Sequence, residues 1–263
     1  MVEKITVNNI ASVGIIYRES DPKSIFIDIK DGGYPIKAFR WMHCPIGGNW
    51  IGKNALADAN PLATFRRELH EELSFEKERI STGEMKQLGI DCEQQSYTVP
   101  KKDAIPTEKD HESLNYLKLI FTNDAQPFGD FRVTVPKSIF DKGVPDNKLG
   151  DTASLLPYYL VSVKENDWRT LEYLHEKFGN LSVESLAVIT SLDEIISTPR
   201  YTCCGHDRIM KEFFTQMGCA GACQYPLLEG ITCEPMGMPF DSYDKYLEYY
   251  EVLRHPFSSS LRA

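Results

Sequence analysis

Three glutamates on consecutive helical turns are the residues of this sequence best suited to chemistry. Glu68, Glu71 and Glu72 stand at i, i+3 and i+4, so a helix projects their carboxylates from adjoining positions on one side. Like charges this close repel one another, and a divalent cation would remove the repulsion. Hard carboxylate oxygens are the ligands that Mg²⁺ prefers. The cluster therefore indicates a magnesium site, with a solvated acidic helix face as the alternative interpretation.

The neighbours of these glutamates favour the metal interpretation. The run Arg67-Glu68-Leu69-His70-Glu71-Glu72-Leu73-Ser74-Phe75 resembles the second half of the Nudix hydrolase pattern, G-x5-E-x7-R-E-U-x-E-E-x-G-U, where U is a bulky aliphatic residue. Upstream, Pro45-Ile46-Gly47-Gly48 resembles the glycine turn that precedes the helix in that family. The sequence is therefore identified by resemblance as a member of the Nudix family.

Three features depart from the family pattern. The interval from Gly48 to Arg67 is longer than in the pattern, whose earlier Glu falls on Ala59 and whose later Gly falls on Ser74. In this family the earlier Glu chiefly supports the loop and helix, so its loss is mild. A serine at the glycine position would strain the helix end if a positive φ is needed there. None of these changes removes a carboxylate that the chemistry requires.

The resemblance implies an enzyme that cleaves the diphosphate linkage of a nucleoside diphosphate derivative by attack of water at phosphorus. Mg²⁺, or Mn²⁺ in its place, would be held by Glu68, Glu71 and Glu72. Glu68 could instead act as the catalytic base, and Arg67 would hold the glutamate side chains by charge-assisted hydrogen bonds. The alternative is a catalytically weak or inactive Nudix-fold protein that binds a nucleotide or a partner.

The substrate side of the site is less defined by the resemblance. Gly47 and Gly48 would lie against the substrate, and a backbone carbonyl of either could be a further metal ligand. The aromatic residues near this turn, Phe39, Trp41 and Trp50, could stack on a base, although packing in the core is the commoner role.

The elements that must position these residues follow from local patterns. Asn8 to Tyr17 and Ser24 to Ile29 predict two strands joined by a turn at Asp21-Pro22, and Cys44 to Gly48 is expected in a loop. Asn60-Pro61 predicts a helix start, because Asn can cap and Pro fits the first helical position. Its buried stripe would be Leu62, Phe65, Leu69 and Leu73.

Later segments complete an α/β fold. Further strands are predicted at Tyr116 to Thr122, Tyr158 to Val163 and Leu186 to Thr190, with Phe131 to Val135 in a hairpin or insertion. Further helices are predicted from Asn166 to Gly179, from Asp207 to Met217 and from Ser242 to Arg254. We expect a Nudix-type α/β/α sandwich with a mixed sheet, inserted segments and extra C-terminal helices.

Residues 1–263 are expected to form a single domain, with 219–263 as a C-terminal extension. The last predicted helix carries an apolar stripe that must be covered by the domain or by a second copy of the chain in a homodimer. The stripe consists of Tyr243, Tyr246, Leu247, Tyr250 and Leu253.

Composition restricts the partners. A net charge of −9 argues against a broad basic surface for nucleic acid, whereas a small phosphorylated nucleotide stays compatible if a metal supplies positive charge. No apolar run is long enough to span a membrane, and the N-terminus is polar, so we expect a cytoplasmic protein without a membrane partner.

Cysteine and histidine residues cluster late in the chain, which raises the question of zinc. The cluster consists of Cys203, Cys204, His206, Cys219, Cys223 and Cys233. It contains no Cys-x2-Cys pair, and buried thiols are common in cytosolic proteins. The spacing therefore favours thiols in the core, with zinc as the alternative.

Overall fold

The chain folds around a mixed β-sheet in the computed structural model, which describes residues 4–30, 40–50, 58–75, 104–141, 151–182, 185–198 and 201–253. The strands in chain order are β1 (Ile5–Val7), β2 (Asn9–Arg18), β3 (Asp21–Ile29), β4 (His43–Cys44), β5 (Ile46–Asn49), β6 (Ala125–Val135), β7 (Thr152–Val163), β8 (Leu186–Ser191), β9 (Thr232–Gly237) and β10 (Tyr250–Val252). The helices are α1 (Pro61–Glu72), α2 (Glu108–Asn123), α3 (Lys137–Asp141), α4 (Glu165–Phe178), α5 (Leu192–Ser197), α6 (His206–Gln216) and α7 (Tyr243–Tyr249).

The main sheet combines parallel and antiparallel pairing. Strand β2 runs parallel to β7 and antiparallel to β3 and β5, while β6 lies antiparallel between β7 and β9. Strand β3 also pairs antiparallel with β4 and β8, and β1 and β10 form a separate parallel pair. The predicted α/β class with a mixed sheet is confirmed.

Helices pack against both faces of this sheet. Helices α1, α2 and α4 cover the face that we call the α1 face, where Phe65, Leu117 and Trp168 meet Ile16 and Val161 in one buried cluster. Helices α5 and α6 cover the opposite face, the α6 face, whose core consists of Val13, Ile15, Val133, Tyr158, Ile195, Met210 and Phe213, among others. Alternation of side chains along each strand supplies apolar groups to both layers.

The predicted strand from Tyr116 to Thr122 is wrong, because this segment lies within helix α2. Thr107 caps the helix in a reciprocal capping box with Asp110. Leu114, Leu117 and Phe121 recur at helical spacing and are buried. A short apolar run does not distinguish a strand from a helix by itself, and here the cap and the longer period decide.

The run from Phe131 to Val135 belongs to the main sheet rather than to an insertion. It is the second half of β6, which pairs along most of its length with β7 and also with β9. The hairpin turn between β2 and β3 is also misplaced in the prediction, since Asp21 already begins β3 and pairs with Arg18. The other predicted strands and the helices α1, α4 and α6 are confirmed.

The last helix is shorter than predicted. Helix α7 ends at Tyr249, and Tyr250 begins β10, which pairs with β1 from the start of the chain. Tyr243, Tyr246 and Tyr250 are buried against Val7, Ile10 and Leu155, whereas Leu253 is exposed. Residues 219–253 also contribute β9 to the main sheet, and residues 254–263 lie outside the described part. Within that part, none of the helices has both the length and the apolar character that a membrane crossing requires.

Candidate active site around helix α1

Helix α1 begins and packs as its sequence predicts. The Asn60 side chain accepts a hydrogen bond from the backbone N–H of Ala63 at 2.9 Å, and Pro61 is the first helical residue. Phe65, Leu69 and Leu73 are completely buried on the α1 face of the sheet. This anchoring fixes the rotation of the helix, and therefore the side from which the glutamates project.

The three glutamates lie close to the protein interior but point to different neighbours. Glu68 and Glu72 are buried, while the side chain of Glu71 is about one-third exposed. Glu68 and Glu71 both bind Arg67, and Glu72 lies beside Asp28 of β3. Among the described residues, these three carboxylates do not form a group with oxygens within 4.8 Å of one another. The helix thus presents oxygen donors along one side without bringing all three to a single point.

Arg67 lies at the centre of this network, as the sequence predicts. Its Nη1 donates to Oε1 of Glu68 at 2.5 Å and to Oε2 of Glu71 at 3.0 Å. Its Nη2 donates to the carbonyl oxygen of Asn49 at 2.9 Å, and its Nε donates to Oδ2 of Asp58 at 3.0 Å. One guanidinium therefore connects two of the glutamates to the end of β5 and to the segment before the helix.

The charge of Arg67 is secured by the acids around it. Burial alone would lower its pKa, but the carboxylates of Glu68 and Asp58 outweigh that effect and raise the pKa above the ordinary value. The guanidinium therefore stays charged. It balances the carboxylates of Asp58 and Glu68, whose side chains are only 8% and 9% exposed.

The glycines before the helix lie in a strand, which corrects the expectation of a loop. Gly47 and Gly48 belong to β5 and pair with Val13 and Ser12 of β2. A Cβ on Gly48 would lie 2.3 Å from Oε2 of Glu68, so any larger residue here would force the Glu68 carboxylate to move. Gly48 therefore lies beside the acidic helix, and the predicted contact of Gly47 and Gly48 with a substrate stays a prediction.

Asp58 is a site residue that the sequence analysis missed. It stands one position before Ala59, on which the family's earlier Glu falls, and its carboxylate accepts hydrogen bonds from both Arg67 and Thr64. An acid adjacent to the missing one is the signal that could have identified it. Ser74, at the glycine position of the pattern, causes no backbone strain, since among the described non-glycine residues only Trp41 has a positive φ. Ser74 instead donates its backbone N–H to the carbonyl of Leu181.

Asp28 is a second residue that the sequence analysis missed. It is completely buried in β3, and burial raises its pKa, although Lys30, Ser185 and Glu72 act in the opposite direction. Its position in the run Ser-Ile-Phe-Ile-Asp-Ile places it on the α1 face, where an apolar residue would be ordinary. Asp28 and Glu72 thus bring two acids together at the inner end of the acidic helix.

The C-terminal helix α7 reaches the same network. The hydroxyl groups of Tyr243 and Thr64 are 2.6 Å apart, and Thr64 in turn donates to Asp58. Trp50 stacks on Tyr243 with ring centroids 4.3 Å apart, so it packs within the protein here. Trp41 is exposed, and Phe39 lies outside the described residues. A chain of polar contacts therefore leads from α7 to Arg67.

The late cysteines whose side chains the structure describes, which exclude Cys204, do not form one cluster. Cys203 and His206 instead meet Cys44 from β4, and the three are buried together on the α6 face, opposite helix α1. Cys219 and Cys233 are partly buried and Cys223 is exposed, and none of them belongs to this group. Sequence reasoning missed Cys44, because it is far from Cys203 and His206 in the sequence and only the fold brings the three together.

Comparison with family models, with curated proteins and with solved structures gives no significant match to this chain.

Proposed function

We propose that the chain is a Nudix-type hydrolase that cleaves the diphosphate linkage of a nucleoside diphosphate derivative. The observation that carries this proposal is the arrangement of Arg67, which binds Glu68 and Glu71 on one helix while Gly48 lies against Glu68. The motif that suggested the activity is thus accompanied by the contacts that its residues would need. An acidic face without a function would not require a largely buried arginine side chain between two of its carboxylates.

The residues fit Mg²⁺ in donor type, and a bound ion would have to draw together three carboxylates that lie apart in this structure. Glu68, Glu71 and Glu72 supply hard oxygen donors from successive turns, and we propose them as the ligands of Mg²⁺, or of Mn²⁺ in its place. When bound, the ion would neutralise charge on the diphosphate oxygens and lower the pKa of a bound water. Arg67 would hold Glu68 and Glu71 in place, and Asp58 would hold Arg67.

Glu68 and Glu72 differ in their surroundings, and therefore in the role we propose for each. Glu68 lies close enough to the backbone of Gly48 for the carboxylate and a substrate above β5 to meet, so it is either a ligand or the base that accepts the proton of the attacking water. Glu72 lies inward beside Asp28, which makes it the carboxylate most shielded from solvent. The substrate would approach along β5, where Gly48 lies beside the Glu68 carboxylate.

The separation of the three carboxylates favours a second candidate, a Nudix-fold protein that binds a nucleotide or a partner without turnover. The two candidates differ in a single measurable property. The enzyme releases a mononucleotide and a phosphorylated product in the presence of Mg²⁺, while the binding protein retains the intact nucleotide.

The test is an assay of the full chain with Mg²⁺ on nucleotide sugars, dinucleoside polyphosphates, nucleoside triphosphates and ADP-ribose, with products separated by chromatography. On any substrate that is cleaved, we expect Glu71→Gln and Glu72→Gln to reduce the rate at least about 100-fold. Both variants should stay folded, because Gln keeps the size of the side chain and relieves repulsion in the cluster.

Glu112→Gln is the matched control, because Glu112 is an exposed glutamate on α2 and is outside the acidic cluster of α1. It should keep the activity of the parent. Activity that survives both cluster substitutions would show that the acidic helix is not the active site. Binding of a nucleotide without turnover, measured by calorimetry, would favour the second candidate.

A further inference from the structure

The α6 face of the sheet contains a group of side chains that the hydrolase proposal does not use. Cys44, Cys203 and His206 each offer a ligand atom, and these three atoms all lie within 4.8 Å of one another. All three residues are buried. Among the described residues, they are the group of potential metal ligands that the fold brings this close together.

The backbone holds these residues together from segments that are distant in sequence. His43 forms a parallel bridge with Thr202, and the backbone N–H of His43 donates to the carbonyl of Tyr201 at 3.1 Å. Strand β4 therefore lies directly beside the segment that leads into the 3-10 turn Cys203–Gly205. Cys44 directly follows His43, and Cys203 directly follows Thr202. The bridge therefore brings the two cysteines next to each other.

The turn between Cys203 and His206 is built tightly. Gly205 has a φ of +78°, and a Cβ at this position would lie 2.4 Å from Cγ1 of Val133. The conformation therefore requires glycine, both for its φ and for its close approach to β6. Cys203 is the first residue of this turn and His206 is the first residue of α6, and the ligand atoms of both lie within 4.8 Å of that of Cys44.

The surroundings fix the orientation of the imidazole. Nδ1 of His206 forms a hydrogen bond with the hydroxyl of Tyr158, a completely buried residue of β7. A hydrogen bond on one ring nitrogen is the usual way in which proteins orient a histidine that binds a metal. Thr202 is similarly fixed, by a hydrogen bond of 2.6 Å with the hydroxyl of Tyr225.

We propose that Cys44, Cys203 and His206 form a zinc site. Two thiolates and an imidazole are a donor set that Zn²⁺ prefers, and zinc distances of about 2.3 Å to sulfur and about 2.0 Å to nitrogen place ligand atoms close together, as here. Three protein ligands leave one position of a tetrahedron for water or another group.

Metal binding would replace the thiol protons, which are released to solvent. The ion would then connect β4, which immediately precedes Gly47 and Gly48, to the start of α6. The ion would hold these two segments together, and the zinc proposal does not depend on the hydrolase proposal.

The first test is the metal content and spectrum of the full-length chain, purified under reducing conditions. We expect about one equivalent of zinc by elemental analysis. Replacement by Co²⁺ should give a thiolate-to-cobalt charge-transfer band in the near ultraviolet and strong visible bands of a tetrahedral ion. The charge-transfer band distinguishes this site from the glutamates of α1, which contain no sulfur.

The second test uses variants. Cys44→Ser, Cys203→Ser and His206→Gln should each lower zinc affinity at least about 100-fold in a competition titration with a chromophoric chelator. Cys223→Ser and Cys219→Ser are the matched controls, since both remove a thiol outside the group, and they should keep the affinity and the cobalt spectrum of the parent.

A third measurement guards against variants that fail to fold. Zinc added to the metal-stripped parent should raise its melting temperature, because an ion that binds only the folded chain stabilises it. The proposal would be overturned by a parent chain that binds neither zinc nor cobalt. It would also be overturned by cobalt spectra that Cys219→Ser or Cys223→Ser abolishes and Cys44→Ser leaves unchanged.

Discussion

The two faces of the sheet neutralise their buried polar groups in different ways. On the α1 face, Arg67 faces Glu68 and Asp58, and its raised pKa keeps a fixed positive charge among the acids. On the α6 face, Cys44 lies beside Cys203, and its raised pKa keeps the thiol protonated unless a metal takes the place of the proton. Burial acts on both faces, and the comparison teaches that the partner decides whether a buried group is balanced by a cation or by a proton.

The largest expected effect comes from removing the fixed cation. Arg67→Met keeps most of the side-chain volume but leaves the acids of Asp58 and Glu68 without their guanidinium. We expect a loss of about 3 to 5 kcal/mol in the free energy of unfolding, measured with urea at neutral pH. Arg169→Met is the control, because the side chain of Arg169 is 70% exposed where it pairs with Glu165. The control should change stability by less than about 0.5 kcal/mol, and equal losses in the two variants would contradict the comparison.

The next effect concerns a buried acid that is balanced by a proton. The hydroxyl of Tyr246 donates to both carboxylate oxygens of Asp130, at 2.9 and 2.7 Å. Burial raises the pKa of Asp130 to about 7, although the Tyr246 hydrogen bond opposes the shift. Because the folded pKa exceeds the ordinary value of 3.8, the stability that Asp130 contributes is present below about pH 4 and is lost as the pH rises through 7.

Asp130→Asn should therefore stabilise the chain at alkaline pH and not at acidic pH. We expect a gain on the order of 2 to 4 kcal/mol near pH 8, which shrinks towards zero near pH 4. Urea denaturation across this range measures the effect. A gain that is independent of pH would show that the carboxylate does not titrate in the folded protein.

The smallest effect tests whether the C-terminal helix supports the acidic network. Tyr243→Phe removes the hydroxyl that contacts Thr64 and keeps the ring that stacks on Trp50. We expect a loss of about 1 kcal/mol in stability, against almost none for Tyr249→Phe, whose ring is exposed. In combination with Arg67→Met, the two losses should deviate from additivity by about 0.5 kcal/mol or more, because both act on Asp58. Strict additivity would show that α7 supports Thr64 alone.

Several parts of this protein were predictable because their signals are local. Asn60, Pro61 and the stripe of Phe65, Leu69 and Leu73 specify helix α1 within a few turns, and the spacing of the glutamates then follows from the helical repeat. The segment from Tyr116 to Thr122 shows the limit of such signals. Its apolar run satisfied a strand pattern, and the capping box at Thr107, several residues earlier, decided for a helix.

The sequence by itself determined helix α1, its row of carboxylates and the arginine among them, since hydrogen bonds and periodicity within a few residues are enough. Only the tertiary structure decided that Glu72 lies beside Asp28 and that Cys44 meets Cys203 and His206. These contacts depend on the pairing and register of strands β3 and β4 with distant segments, and a shift by one residue would turn each side chain to the other face. Such pairing is fixed by the burial of the whole core, which no single stretch of sequence contains.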